Sequence, residues 1–218
     1  MSNLSITNLT YNNDSINIDT QTDTDTKNIF STIYDKNFYP DQTTYYYFKN
    51  TFSENECNSI INAFSPICDN VGVTFSDDPE YRKSLITWIP YNDTTKWIYD
   101  RILDCAKTAN NETYLFDITT ICEKIQFSCY NGSNGDKYDK HIDLGGNSLF
   151  SCRKLSITVQ LSKSDDYTGG NVNIRNYKIP RDQGSLTTFP SFLEHNVDPV
   201  VEGKRYSLVI WLYGPHFR

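Results

Sequence analysis

Leu155-Ser156-Ile157-Thr158-Val159-Gln160-Leu161 alternates apolar and polar residues at every step. Side chains on a β-strand point to opposite faces in turn, so Leu155, Ile157, Val159 and Leu161 share one face and Ser156, Thr158 and Gln160 the other. The same period of two runs through Ile121–Tyr130, where Ile121, Ile125, Phe127 and Cys129 oppose Lys124, Gln126, Ser128 and Tyr130. Further strands are expected at 171–175, 184–189, 195–200 and 204–212, separated by Gly-Gly, Pro and Gly turn signals. Many short strands with turns between them predict a mainly β fold, a sandwich or jelly roll.

Upstream, the period lengthens to that of helices. Ser53-Glu54-Asn55-Glu56 has the form of a capping box, and Cys57, Ile60, Ile61 and Phe64 follow at helical spacing until Pro66. A second helix is expected from near Thr94 to Ala109, with Ile98, Ile102, Cys105 and Ala109 on one stripe. The two flanking N-terminal helices thus form a support at about 53–109, and the β core spans about 119–213. Tyr45-Tyr46-Tyr47-Phe48 reads as an ordinary strand. The stretch 69–90, with Arg82, Trp88 and several acidic residues, is a candidate lid or substrate-facing segment. Residues 1–28 are dominated by Asn, Thr, Ser and Asp and cannot bury enough apolar area to offset their ordering entropy. They are expected to form a mobile arm ahead of a single domain at 29–218.

The chain has 218 residues, 38% hydrophobic, and a formal net charge of −7. Such a balance argues against a nucleic-acid or anionic-membrane partner, because both are bound through Lys and Arg. The longest apolar runs, such as Leu208-Val209-Ile210-Trp211-Leu212, fall far short of the ~20 residues that span a bilayer. A soluble, cytoplasmic protein is expected, in the host cytoplasm if the source is viral. Six cysteines without a CxxC pair fit buried thiols in a reducing compartment better than disulfides. The composition leaves oligomeric state open.

Only three histidines are present, and one sits in Tyr138-Asp-Lys-His141-Ile-Asp143. On a strand, His141 and Asp143 present an imidazole and a carboxylate to the same side. A third metal ligand would come from His195 or His216, and His216, two residues before Arg218, reads as a surface residue. Two histidines and one carboxylate leave open positions on one face of a metal, the arrangement of non-haem Fe(II) oxygenases. Arg205 follows His195 by ten residues. A three-residue hairpin loop at Val201-Glu202-Gly203 would pair Pro199 with Arg205 and Val197 with Ser207, placing Arg205 on the face of His195. A two-residue loop at Glu202-Gly203 would put it on the other face. His195 and Pro199 are roughly 13 Å apart along a strand, a gap that a metal-bound dicarboxylate reached by a guanidinium could fill. Charge agrees: Fe(II) with one carboxylate leaves one positive charge, Arg205 adds a second, and a dianion matches both. The planar fork of Arg suits a carboxylate.

Tyr130, His141-x-Asp143, Gly169-Gly170, Gly184-Ser-Leu-Thr-Thr-Phe-Pro190, His195-Asn-Val-Asp-Pro-Val and Gly203-Lys-Arg205-Tyr-Ser-Leu-Val-Ile-Trp211 occur in an order that resembles 2-oxoglutarate- and Fe(II)-dependent dioxygenases of the prolyl hydroxylase superfamily. The resemblance covers about residues 45–218 and is closest to the oxygen-sensing prolyl hydroxylases and to bacterial and phage prolyl 4-hydroxylase-like enzymes. It implies a double-stranded β-helix. It implies His141, Asp143 and His195 as iron ligands, and Arg205, Tyr130 and Gln160 as contacts to 2-oxoglutarate. Tyr138, Arg153 and Trp211 would face a peptide substrate. Arg153 shares the parity of Leu155 and Ile157, so it reaches a cavity only through a kink or strand end. The small molecules implied are Fe(II), 2-oxoglutarate, O2 and ascorbate. The implied reaction hydroxylates a C–H bond of a prolyl residue in a peptide or protein and releases succinate and CO2. A carboxylate at Asp143 favours hydroxylation over halogenation. A free amino acid or other small metabolite is an alternative substrate, and a non-catalytic jelly-roll binding or structural protein an alternative function.

Overall fold

The computed structural model describes residues 44–72, 78, 80–145 and 150–217. The expected mobile arm at 1–28 lies outside them. Among the described residues, thirteen strands run in chain order: β1 (Tyr46–Phe48), β2 (Asn70–Val71), β3 (Arg82–Lys83), β4 (Leu85–Ile89), β5 (Ile125–Asn131), β6 (Lys137–His141), β7 (Arg153–Gln160), β8 (Tyr167–Gly169), β9 (Val172–Ile174), β10 (Tyr177–Lys178), β11 (Leu186–Pro190), β12 (His195–Val197) and β13 (Val200–Tyr213). Two helices, α1 (Glu54–Phe64) and α2 (Lys96–Ala109), precede β5. The larger sheet has the order β1-β11-β7-β13-β5-β4-β2, with β8 also pairing β13, and the smaller has the order β10-β9-β12-β6-β3. Together they form a jelly roll.

Parity along the central strands decides which side does what. Ile125, Phe127 and Cys129 of β5, Leu155, Ile157 and Val159 of β7, and Leu208, Ile210 and Leu212 of β13 share one cluster with Cys57 and Ile60 of α1 and Ile98, Ile102 and Ala106 of α2. The apolar face of the larger sheet is therefore sealed by the helices. Its polar face is buried too: Gln126, Ser128, Ser156, Gln160, Arg205 and Ser207 are each under 10% exposed. That face turns toward the smaller sheet, so the alternation that looks amphipathic in sequence is a packed face against a polar interior. The capping box is formed, with Ser53 and Glu56 satisfying each other's backbone N–H groups.

Three expectations are revised. No hairpin forms at Val201-Glu202-Gly203: β13 runs unbroken from Val200 to Tyr213, its first residues paired with β8 and its remainder with β5 and β7. Gly203 has φ +71°, and a Cβ there would lie 2.0 Å from the Asp166 carbonyl oxygen, so the glycine permits close strand approach rather than a turn. Pro199 and Val197 accordingly do not pair with Arg205 and Ser207. Within 69–90, residues 80–90 carry β3 and β4, and β4 is an integral strand beside β5, so this part is not a lid, while Arg82 and Trp88 line the large cavity as a substrate-facing segment would. All six cysteines are free, but Cys122 is exposed and only Cys57, Cys68 and Cys129 are buried. Among the described residues, no helix is long and apolar enough to cross a membrane.

Candidate active site

β6 and β12 are neighbours in the smaller sheet, and their register places His141 directly opposite His195. The two rings lie 4.1 Å apart between centroids. Each imidazole is fixed by the same local device. His141 Nδ1 is 2.8 Å from the Asp139 carbonyl oxygen, and His195 Nδ1 is 2.9 Å from that of Leu193, in both cases two residues back. A carbonyl can only accept, so each Nδ1 carries a proton, and each ring in its neutral form keeps its lone pair on Nε2. Tyr138 stacks on His141 at 3.6 Å and Phe189 meets His195 edge-on at 4.7 Å, which restrains both rings further.

Asp143 follows β6 and is tied back through its N–H to the Ser191 carbonyl. Its Oδ1 is 3.8 Å from His141 Nε2 and its Oδ2 3.3 Å from His195 Nε2. Ser156 Oγ donates to Asp143 Oδ2 at 2.6 Å, and Ser191 Oγ stands 3.0 Å behind Ser156 Oγ. One ligand atom from each of His141, Asp143 and His195 lies within 4.8 Å of the others, the one such cluster among the described residues. Burial alone would raise the Asp143 carboxyl, but His195, His141 and Ser156 outweigh it and hold the group well below the usual carboxylate range. Burial and the neighbouring His195 push His141 down to about 4. Burial also acts to lower His195, yet the Asp143 charge and hydrogen bond leave it raised.

Arg205 of β13 lies in the larger sheet, opposite Tyr130 of β5. It is 2% exposed. Its Nη1 donates to Ser207 Oγ at 3.3 Å, and among the described residues its Nε has no hydrogen-bond partner and no ion pair involves it. A buried guanidinium without a counterion is costly, and the arrangement becomes favourable when an anion supplies the acceptors. The same cavity of about 920 Å³ reaches both Arg205 and the His141–Asp143–His195 cluster. Tyr130, Tyr138, Arg153 and Trp211 line it as well. Arg205 and His195 thus come together from opposed sheets rather than from one hairpin face.

Arg153 enters the cavity by the strand end that its parity requires, at a register shift between Leu212 and Tyr213 on β13. Its guanidinium lies 3.9 Å over the Trp211 ring and is bound by Glu123 Oε2 at 2.6 Å, by Tyr213 Oη at 3.1 Å and by the Asp143 carbonyl at 3.3 Å. Its charge is therefore already matched by Glu123. Trp211 is 7% exposed, and its Nε1 has no partner among the described residues. Gln160 departs from expectation. It does not line the large cavity, and both N–H groups of its amide are committed, to the Ser162 carbonyl at 2.9 Å and to Tyr167 Oη at 3.1 Å. It has no donor left for a cosubstrate. Ser156, Glu123 and Tyr167 escape the sequence reading: Ser156 shares the parity of the polar face, whereas Glu123 lies before β5 and no periodicity marks it.

Residues 125–213 match the 2OG-Fe(II) oxygenase superfamily. That stretch, 89 of the 218 residues, is what the chain shares with the family. A PKHD-type hydroxylase of Synechococcus elongatus is 30% identical over 130 residues, covering 54% of this chain and 56% of the relative. The chain spans about half the length of the curated relatives it matches. Among solved structures, a Pseudomonas putida prolyl-4-hydroxylase aligns with TM-score 0.62 at 17% identity over 79% of this chain and 94% of its own. A Trichoplax adhaerens prolyl hydroxylase, in complex with a hypoxia inducible factor peptide fragment, gives 0.63 at 19% identity over 88% and 94%. At that identity the two structures show a common fold.

The oxygenase family implies Fe(II), 2-oxoglutarate and O2. The residues present fit them. Two imidazole Nε2 lone pairs and one carboxylate converge from one side, a donor set suited to Fe(II) with positions left toward the cavity. At the other end, the unpartnered Nε of buried Arg205 fits a carboxylate.

Proposed function

We propose that this chain is a 2OG-Fe(II) oxygenase that hydroxylates a prolyl C–H bond in a peptide or protein and releases succinate and CO2. The observation that carries the proposal is the buried, uncompensated Arg205 in the same cavity as the His141–Asp143–His195 cluster. In this reading His141, Asp143 and His195 hold the metal, and Arg205 with Tyr130 binds the distal carboxylate of 2-oxoglutarate. Fe(II) with 2-oxoglutarate and O2 supplies the oxidative decarboxylation that drives C–H oxidation. The protein's work is placement. The Asp139 and Leu193 carbonyls keep each Nε2 available, Ser156 orients Asp143, and Arg205 sets the depth of the cosubstrate. Tyr138 and Phe189 shield the metal end from water by packing on the two imidazoles.

The substrate sits beyond the metal, against Tyr138, Trp211 and Arg153. Trp211 Nε1 offers a donor to a peptide carbonyl. Because Glu123 neutralises Arg153, this wall favours an uncharged segment over a carboxylate. The Trichoplax adhaerens neighbour's peptide complex supports a peptide over a free amino acid. The test incubates the protein with Fe(II), 2-oxoglutarate and O2, supplying proline-containing peptides or free proline, and follows succinate and the one-oxygen mass gain. Succinate formed in step with an oxidised peptide, and abolished by His195→Ala, is expected. Coupled turnover of free proline in preference to every peptide would transfer the reading to a small metabolite. No coupled turnover with any of them would overturn it.

A further inference from the structure

The two imidazoles of the cluster are backed by rings of different redox character. Phe189 meets His195, and a phenyl ring gives up an electron only with great difficulty. Tyr138 stacks on His141 with ring planes 18° apart and centroids at 3.6 Å, and a phenol is among the most easily oxidised side chains. Tyr138 leads on to a second phenol. Tyr81, just before β3, meets it edge-on at 5.9 Å and is half-buried on the wall of the same cavity. It is pinned to β6 at both ends: its backbone carbonyl accepts the Asp139 N–H at 2.9 Å, and its Oη donates to the Lys140 carbonyl at 2.8 Å. Three rings in successive contact thus run from the metal end of the cavity to the protein surface. Charge gives the series a direction. The Arg82 guanidinium lies 4.6 Å over Tyr138 and opposes a positive charge resting there. Around Tyr81 the Asp139 and Glu194 carboxylates are matched by Lys137 and Lys140, and water at its exposed edge can take a proton.

We propose that His141, Tyr138 and Tyr81 form an electron relay that clears the site of its oxidant when no substrate C–H bond is in place. The proposal rests on the proposed function and goes beyond it. 2-Oxoglutarate takes one oxygen atom of O2 as it becomes succinate and CO2. Without a substrate, the other atom needs two electrons and two protons to leave as water. In each of two passes Tyr81 loses one electron and its phenol proton. The electron crosses Tyr138 and His141 to the metal, and the proton goes to solvent, which supplies the protons of the water formed. A thiol in solution returns one electron and one proton to the Tyr81 radical, and two such thiols join as a disulfide. The relay thereby spares the cavity wall from self-oxidation, a side reaction that the site must exclude.

The test exposes the full chain, loaded with Fe(II) and 2-oxoglutarate, to O2 without peptide. Samples frozen at intervals are read by electron paramagnetic resonance, succinate is measured alongside, and oxygen gained by the protein is mapped by mass spectrometry. Wild-type protein is expected to show a tyrosyl radical that added dithiothreitol removes. Tyr81→Phe should lose that signal and gain oxygen on cavity residues several-fold faster, with Mn(II) and 2-oxoglutarate affinities at wild-type values. Tyr81→Trp, which restores an oxidisable ring, should show an indolyl radical in its place and recover the slow self-oxidation. Succinate formation without any protein radical in wild type, or a signal and self-oxidation rate unchanged in Tyr81→Phe, would overturn the relay and leave the proposed function standing. No succinate with or without peptide would overturn both.

Discussion

Ser156 shows how much a single hydroxyl decides. Its 2.6 Å bond to Asp143 Oδ2 fixes which carboxylate oxygen remains for a metal. Outer partners of this kind are worth 10–100-fold in metal affinity. Ser156→Ala is expected to weaken Mn(II) binding by about that range, measured by titration, with little change in fold because the cavity wall tolerates a smaller group. Arg205→Met separates the two ends of the site. It should lower 2-oxoglutarate affinity by at least about 30-fold, the effect of removing one partner of a buried charge pair, while leaving Mn(II) affinity near wild type. Equal loss of both would mean that Arg205 supports the fold instead. At this scale much is legible in the sequence. The His141-x-Asp143 spacing points to both residues, although Asp143 lies just past the end of β6, and scarcity of histidine narrows the third position to His195 or His216. What stays hidden depends on contacts between segments far apart in the chain. Glu123 meets Arg153, and Gln160 turns from the cosubstrate to Tyr167, without any sign in spacing or parity.

Strand β13 carries the main lesson at the level of elements. Arg205, Ser207 and Trp211 face the cavity while Leu208, Ile210 and Leu212 face the helices, and the period of two announces that division. The period cannot announce the partner. A hairpin from 195–200 into 204–212 satisfies the same pattern as a strand that passes from one sheet's edge to the centre of the other. Gly203 distinguishes them only in three dimensions, through its approach to Asp166. Gly203→Ala should therefore destabilise the protein by about 1–3 kcal/mol, since it combines strain at positive φ with a clash against backbone. That corresponds to a fall of several degrees in melting temperature, roughly 2–4 °C per kcal/mol at this size. The helices were more readable because their signals are local. Ser53 and Glu56 are three residues apart, and Ile98 and Ile102 lie one turn apart on α2. Ile102→Ala, at a fully buried position between helix and sheet, is expected to cost about 2–5 kcal/mol in urea denaturation without altering metal affinity.

For the molecule as a whole, the net charge of −7 describes the shell, whereas one cavity holds an uncompensated Arg205 and the His141–Asp143–His195 cluster. The long-range field therefore says little about the site, which works over a few ångströms in a buried setting. Binding there should stabilise the fold by linkage. Mn(II) at about 100 times its dissociation constant contributes roughly 2.7 kcal/mol, a rise of about 5–10 °C in melting temperature, and a chelator should reverse it. A further rise on adding 2-oxoglutarate, dependent on prior metal, would show that the two ends act as one site. The central claim is that a metal at His141, Asp143 and His195 and a dianion at Arg205 are bridged by one molecule. The most direct measurement is anaerobic absorption of the protein with Fe(II) and 2-oxoglutarate. A visible charge-transfer band that requires both components, disappears in His195→Ala and demands far more 2-oxoglutarate in Arg205→Met is the predicted result; intact wild-type protein with no such band would contradict it.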